Sequence, residues 1–282
     1  MKNIVAGLLL ASIWGAGAVA TKLGIKDVQP LLLITVRYVL AAILLLGYIL
    51  LIQKHRLPKG KEWISLLVCS MMINGIYSIA YVFALKYATA GIGALATAAN
   101  PLVITILNGL WLNGKITRNV WIGLLLGLLG VGIVLYPLLQ NAYATPLGIG
   151  LLAFSIVCYS IGTVYYQRVN WELPRLVING WLIFISALIL VPLTAFFYED
   201  SLNHFTPTFW YSALWLVIPV TIVAAQIWLY LLKAEPTKAA LWLYLCPIFG
   251  FLFSAIFTKE PISVYTLVGT FLVIGGLYLG KK

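Results

Sequence analysis

The sequence predicts an all-α integral membrane protein of ten transmembrane helices, built as two inverted five-helix repeats. Three observations predict it: a composition with almost no polar shell, ten apolar runs of spanning length, and a register of matches between the two halves. Of the 282 residues, 63% are hydrophobic and 9% charged, against about 45–50% and about 25% in soluble domains. A soluble core that apolar would need polar residues to cover it, and few are available. A spanning helix takes about 20 apolar residues, so ten spans with tight loops consume nearly the whole chain.

The first run, 4–23, follows Lys2 and contains Ala18-Val19-Ala20, the pattern of a signal-peptide cleavage site. It extends to Thr21, long enough to span, and the repeat carries it along, so it is read as the first helix. The others, bounded by charge, Gly or Pro, are 30–53, 63–85, 89–112, 119–138, 147–167, 175–197, 208–232, 237–257 and 263–280. Helices satisfy their own backbone in lipid, whereas isolated strands do not. A β-barrel would show alternating segments about ten residues long; these runs are uniformly apolar and longer.

Charge sets the orientation. With the N-terminus inside, Lys2, Lys54, Arg56, Lys59, Lys61, Lys115, Arg118, Arg168, Arg175, Lys233, Lys238, Lys281 and Lys282 are cytoplasmic. Only Lys22, Lys26, Lys86 and Lys259 fall outside, and Arg37 lies within the second span. This positive-inside bias predicts cytoplasmic termini in a multi-pass plasma-membrane protein. The net charge of +11 is therefore topogenic, dispersed among short connections, and not a nucleic-acid-binding patch. Cys69, Cys158 and Cys246 sit inside apolar runs without metal-ligand spacing and read as buried small hydrophobes.

The halves, 1–142 and 143–282, overlay at a shift of 146 residues. Pro101 meets Pro247, Ile116 meets Ile262, Gly123 meets Gly269 and Gly130 meets Gly276. At a shift of 145, Trp14-Gly15 falls on Tyr159-Ser160. Five helices is an odd number, so a second copy enters the membrane from the opposite side. Inverted repeats place binding sites near the midplane, at interrupted helices in matching positions. Pro101 and Pro247 supply those interruptions, as gating elements or as packed structural kinks.

Ser12-Ile13-Trp14-Gly15 with Lys22, Arg37 early in the second span, Asn100-Pro101-Leu102 and Trp121-Ile122-Gly123-Leu124 resemble the ten-helix, EamA-type branch of the drug/metabolite transporter superfamily. The resemblance covers essentially the whole chain. It departs at Gly114-Lys115, where the family usually has Gly-Glu, whereas the second half keeps Glu260, so that acid is not symmetric between the halves. The resemblance implies a carrier of amino acids, nucleobases, sugar-linked metabolites or organic cations, and leans towards export.

Polar residues inside spans usually face the bundle interior. Asn74, Tyr77, Ser78 and Tyr81 form one helical stripe, and Ser155, Tyr159, Thr163 and Tyr166 another. Asn100 in the fourth span, Thr221 and Gln226 in the eighth, and Tyr244 in the ninth extend the set. Trp14 lies mid-span, away from the interfacial belts, and with Tyr81, Tyr159 and Trp228 would form an aromatic lining. Each has a competing role in helix–helix bonding or core packing. Arg37 enters as a gating or structural residue, with attraction of an anionic group as the alternative.

The seven acids (Asp27, Glu62, Glu172, Glu199, Asp200, Glu235, Glu260) lie in or beside loops, as do His55 and His204. Proton relays usually use a buried carboxylate or His, so exchange or facilitated diffusion is favoured. A membrane-embedded lipid-modifying enzyme would need paired carboxylates, a His cluster or a nucleophile with its base, and none is evident. No nucleotide-binding pattern or other cofactor signature occurs. Glycine faces at Gly123/Gly127 and Gly275/Gly276/Gly280 would join the repeats or form a homodimer. The expectation is a secondary transporter of a small metabolite, first an amino acid, with an organic cation as runner-up.

Overall fold

Proline and glycine set the helix ends. In the computed structural model, which describes residues 2–97, 99–111, 117–140, 145–234, 239, 242–259 and 264–281, α1 runs Lys2–Gly24 and α2 Pro30–Gly47. Pro30 opens α2 in the first turn, where a missing N–H breaks no intrahelical bond. Thr145 and Thr206 cap α8 (Pro146–Arg168) and α10 (Pro207–Trp215), each accepting a backbone N–H at 3.2 Å ahead of a proline.

The third expected span is α3 (Lys61–Cys69), a π-helical segment Ser70–Ile76 and α4 (Tyr77–Ala84), in one uninterrupted run. The eighth is built alike: α10, a π-helical segment Leu216–Ala224 containing Pro219, then α11 (Ala225–Ala234). Pro219 cannot donate to the ladder, and a wider turn accommodates that loss. Between these runs lie α5 (Ala90–Thr97), α6 (Asn100–Trp111), α7 (Arg118–Gln140) and α9 (Arg175–Phe196). The chain closes with a 3-10 turn at Trp242–Leu245, α12 (Cys246–Phe257) and α13 (Val264–Lys281).

Six described helical runs are long and apolar enough to cross a membrane: Lys2–Gly24, Pro30–Ile52, Lys61–Ala84, Pro146–Arg168, Arg175–Phe196 and Pro207–Ala234. The fourth expected span is described as the separate helices α5 and α6, and the ninth as a 3-10 turn running directly into α12. Pro101 and Pro247 do not bend a continuous helix, as a proline in mid-helix would. Each is the second residue of a new segment, α6 or α12, where no backbone bond is lost. The expected Gly-Lys turn at 114–115 and Glu260 lie outside the described residues.

The heaviest packing pairs α7 with α13, α2 with α9, α1 with α12, and α4 with α8. Small residues permit these approaches. A Cβ on Gly276 would stand 2.5 Å from the Gly123 carbonyl oxygen, and one on Gly15 would stand 2.7 Å from that of Cys246. The glycine faces at 123 and 276 therefore meet within one chain, and Gly127 makes room for the Tyr244 ring. Leu44, Leu51, Leu188, Ile218 and Phe271 are exposed, an apolar surface suited to lipid.

Polar contacts gather at the two ends. At one, buried Asn203 accepts from Gln29 N at 2.8 Å and donates to Gln29 Oε1 at 2.9 Å; Thr206 bonds Asp27 beside it. These contacts tie the α1–α2 connection to the α9–α10 connection. At the other end, Arg56 pairs with Glu62 at 2.7 Å and Glu172 at 3.3 Å, and the Glu62 hydrogen bond holds the guanidinium pKa above its ordinary value.

Candidate functional site

A cavity of about 100 Å³, room for several waters, opens between the pieces of the bundle. Its walls come from α1, α2, the π-containing runs 61–84 and 207–234, α8 and α9, with Thr97 and Asn100 from either side of the break before α6 and Leu243 from the 3-10 turn. The lining sorts into an aromatic cluster and a polar one.

Trp14, Tyr77, Tyr81, Tyr159 and Trp228 make the aromatic cluster. Trp14 stands edge-on to Tyr159, with centroids 6.2 Å apart and planes at 85°, and 5.5 Å from Trp228. Tyr159 continues to Tyr77 at 5.0 Å, and Tyr77 to Tyr81 at 5.6 Å. Such separations lie in the range of favourable aromatic pairs. Rings from α1, α4, α8 and α11 thus converge from distant parts of the sequence.

The polar cluster centres on Arg37. Its Nε donates to Thr221 Oγ1 at 2.6 Å, and its guanidinium carbon lies 5.1 Å from the Tyr38 ring centre. The Thr221 hydroxyl in turn donates to Leu216 O, five residues back, at 2.7 Å, as π-helical geometry allows. Asn179 Nδ2 donates to Thr221 O at 3.3 Å, and the Tyr38 hydroxyl shares a 2.5 Å bond with Ser78 Oγ. Asn100 Oδ1 accepts from Ser160 Oγ at 3.2 Å.

No acidic side chain is among the cavity's described lining residues, and no described residues group three potential metal ligands. The site offers ring faces, amides, hydroxyls and one guanidinium. Such groups are suited to binding and orienting a solute; among the described lining residues no nucleophile stands beside a carboxylate or His base.

The structure brings together Trp14, Arg37, Asn74, Tyr77, Ser78, Tyr81, Asn100, Tyr159 and Trp228. Thr163, Gln226 and Tyr244, also expected at the site, fall elsewhere, and Pro101 and Pro247, at the starts of α6 and α12, do not line the cavity. Thr163 is buried one turn along α8 from Tyr159. Gln226 lies two residues before Trp228, on another face of α11, in a separate cleft with Tyr166, Trp171, Arg175 and Lys233. Tyr244 packs on Gly127 and donates to Leu124 O at 3.2 Å, a structural use of its hydroxyl. Sequence reasoning misses Tyr38 and Asn179. The available signals are the adjacency of Tyr38 to Arg37 and the polar Asn179 inside the apolar run 175–197.

The profile of the EamA-like transporter family matches residues 1–136 and 146–280. An uncharacterized transporter of Archaeoglobus fulgidus is 24% identical over 275 residues, spanning 95% of this chain and 93% of that protein. The uncharacterized transporter YoaV of Bacillus subtilis is 23% identical, covering 99% and 97%. The uncharacterized inner membrane transporter YedA of Escherichia coli strain K12 is 24% identical, covering 89% and 81%. One crystal structure superposes with a TM-score of 0.78 at 20% identity, over 99% of this chain and 96% of that one, a likeness of fold.

Proposed function

This chain belongs to the EamA-like transporter family, and we propose that it is a secondary carrier that moves a small metabolite by alternating access. The observation that carries the reading is the shared cavity. Trp14, Arg37, Tyr77 and Tyr81 reach it from the first half, and Tyr159, Asn179, Thr221 and Trp228 from the second.

The proposed architecture is ten spans in two inverted repeats, 1–142 and 143–282, with both termini cytoplasmic in the plasma membrane. The packing supports it. Under the 146-residue shift, the α2–α9 and α7–α13 pairs each map onto themselves, and α1 against α12 maps onto α8 against the broken α5–α6 run. Both π-helical segments, Ser70–Ile76 and Leu216–Ala224, also correspond at nearly that shift. On this topology, the Asn203 contacts close the outer end, and Arg56 with Glu172 borders the inner one.

The cargo of this reading is an amino acid, first an aromatic one, exported or facilitated. The five-ring cluster matches an aromatic side chain. An organic cation fits less well, because Arg37 faces the cavity and no described lining residue is acidic. The same lack of lining acids favours exchange or facilitated diffusion over proton coupling. Uptake of labelled phenylalanine, tryptophan, nucleobases and quaternary amines into proteoliposomes tests the reading. Saturable uptake of an amino acid, insensitive to collapse of a pH gradient, is the expected result; no uptake of any solute would sink it.

A further inference from the structure

We propose that the polar cluster is a carboxylate seat, in which Arg37 is the primary ligand of the cargo's acid group. The proposal rests on the carrier reading above and deepens it. The cargo class becomes organic acids with an aromatic or apolar body, and a free ammonium group is not part of what is recognised.

The argument starts from unmatched donors. A guanidinium carries five N–H groups in a planar fork. In Arg37, Nε is bonded to Thr221, while Nη1 and Nη2 have no acceptor, and no acidic oxygen lies within 4.0 Å, among the described residues. A half-buried cation inside a span is costly unless something compensates it. Three further lining residues bury polar atoms without a partner: Trp228 at Nε1, Asn74 at Nδ2 and Tyr159 at its hydroxyl. Trp is a donor only, so a protein acceptor or a ligand acceptor must complete it.

The Thr221 bond leaves both outer nitrogens of the fork available, the geometry that binds a carboxylate bidentately. The aromatic cluster lies along the same cavity, so a solute with an acid at one end and a ring at the other satisfies both parts. An ammonium group would meet no carboxylate among the described lining residues, so it adds nothing to what the acid group and the ring supply.

The test is a matched ligand series on the purified protein, read by tryptophan fluorescence or calorimetry at neutral pH: 3-phenylpropionate, phenylalanine, phenylalaninamide and phenethylamine. Both carboxylates should bind, and the amide and amine at least about tenfold more weakly, the scale of charge-assisted hydrogen bonds. Arg37→Gln should abolish that discrimination, and Arg37→Lys should retain part of it, since the charge persists without the fork. Should Arg37→Gln fail to fold, the wild-type series and Arg37→Lys decide the matter. Equal binding of amine and acid, or an Arg37→Gln protein that still prefers acids, overturns the seat. Proteoliposomes separate the two readings. If amines are carried as well as acids, the carrier stands and the seat falls; if nothing binds and nothing is carried, both fall.

Discussion

Arg37 and Thr221, 184 positions apart, are joined by a 2.6 Å hydrogen bond from Nε to Oγ1 that bridges α2 and the π-helical segment at 216–224. The wide turn matters to this bond, because the same hydroxyl donates to Leu216 O and is thereby held towards the cavity. Thr221→Val keeps the shape and removes the acceptor. Loss of one charge-assisted bond should destabilise the protein by about 1.5–3 kcal/mol and reduce transport severalfold. Thermal unfolding in detergent and proteoliposome uptake read the two effects.

Trp14 touches both Tyr159 and Trp228, the rings contributed by the second half. Trp14→Ala and Tyr81→Ala are each expected to lower transport about three- to tenfold, since an aromatic pair contributes about 0.5–1.5 kcal/mol beyond area burial. Tyr244→Phe, which touches only packing and Leu124, should leave transport within about twofold. If both alanine variants transport normally, the cavity is not the path.

Gly15 and Gly276 face backbone, which cannot swing aside. Their added Cβ atoms would stand 2.7 Å from Cys246 O and 2.5 Å from Gly123 O. Gly15→Ala and Gly276→Ala should each cost about 1–3 kcal/mol by overpacking, visible as a lower unfolding temperature. Gly275→Ala, with open space around it, is the control and should unfold like the wild type.

Asn203 is buried and bonds both the backbone and the side chain of Gln29. Asn203→Ala should loosen that end of the bundle and favour the state open there. Thr21 lines the cavity, so Thr21→Cys, in a chain whose three native cysteines are replaced, reports access. Its labelling by a membrane-impermeant maleimide added outside cells should rise in the Asn203→Ala background. Unchanged labelling would mean that these contacts do not close the path.

Glu172 pairs with Arg56 in the open, its side chain 84% exposed. Exposed pairs contribute about 0–1 kcal/mol, so Glu172→Gln should leave unfolding and transport nearly unchanged. A large loss would assign that end a gating role.

The helical runs are legible in the sequence, and for a local reason. A helix in lipid must satisfy its backbone within itself, so the length of an apolar run nearly suffices to place it. The stripe Asn74, Tyr77, Ser78 and Tyr81 is legible for the same reason and lines the cavity throughout. Gln226 is not. One polar residue in an apolar run does not reveal which way it faces, and the π-helical turns before α11 alter the phase of everything after them. Tyr244 leaves the candidate set because a glycine on α7, Gly127, draws its ring into packing, a partner over a hundred residues away.

Consecutive residues alone are enough for the membrane class, the six long apolar helices, and the membership of Trp14, Arg37, Tyr81 and Trp228 in the candidate set. The packed bundle adds which of those side chains meet, that the prolines begin new segments, and that Tyr38, Asn179 and Thr221 gather around Arg37. Span formation is a property of neighbours along the chain. A binding cavity depends on rotational phase and on contacts between helices far apart in the chain, and neither is written in any single run.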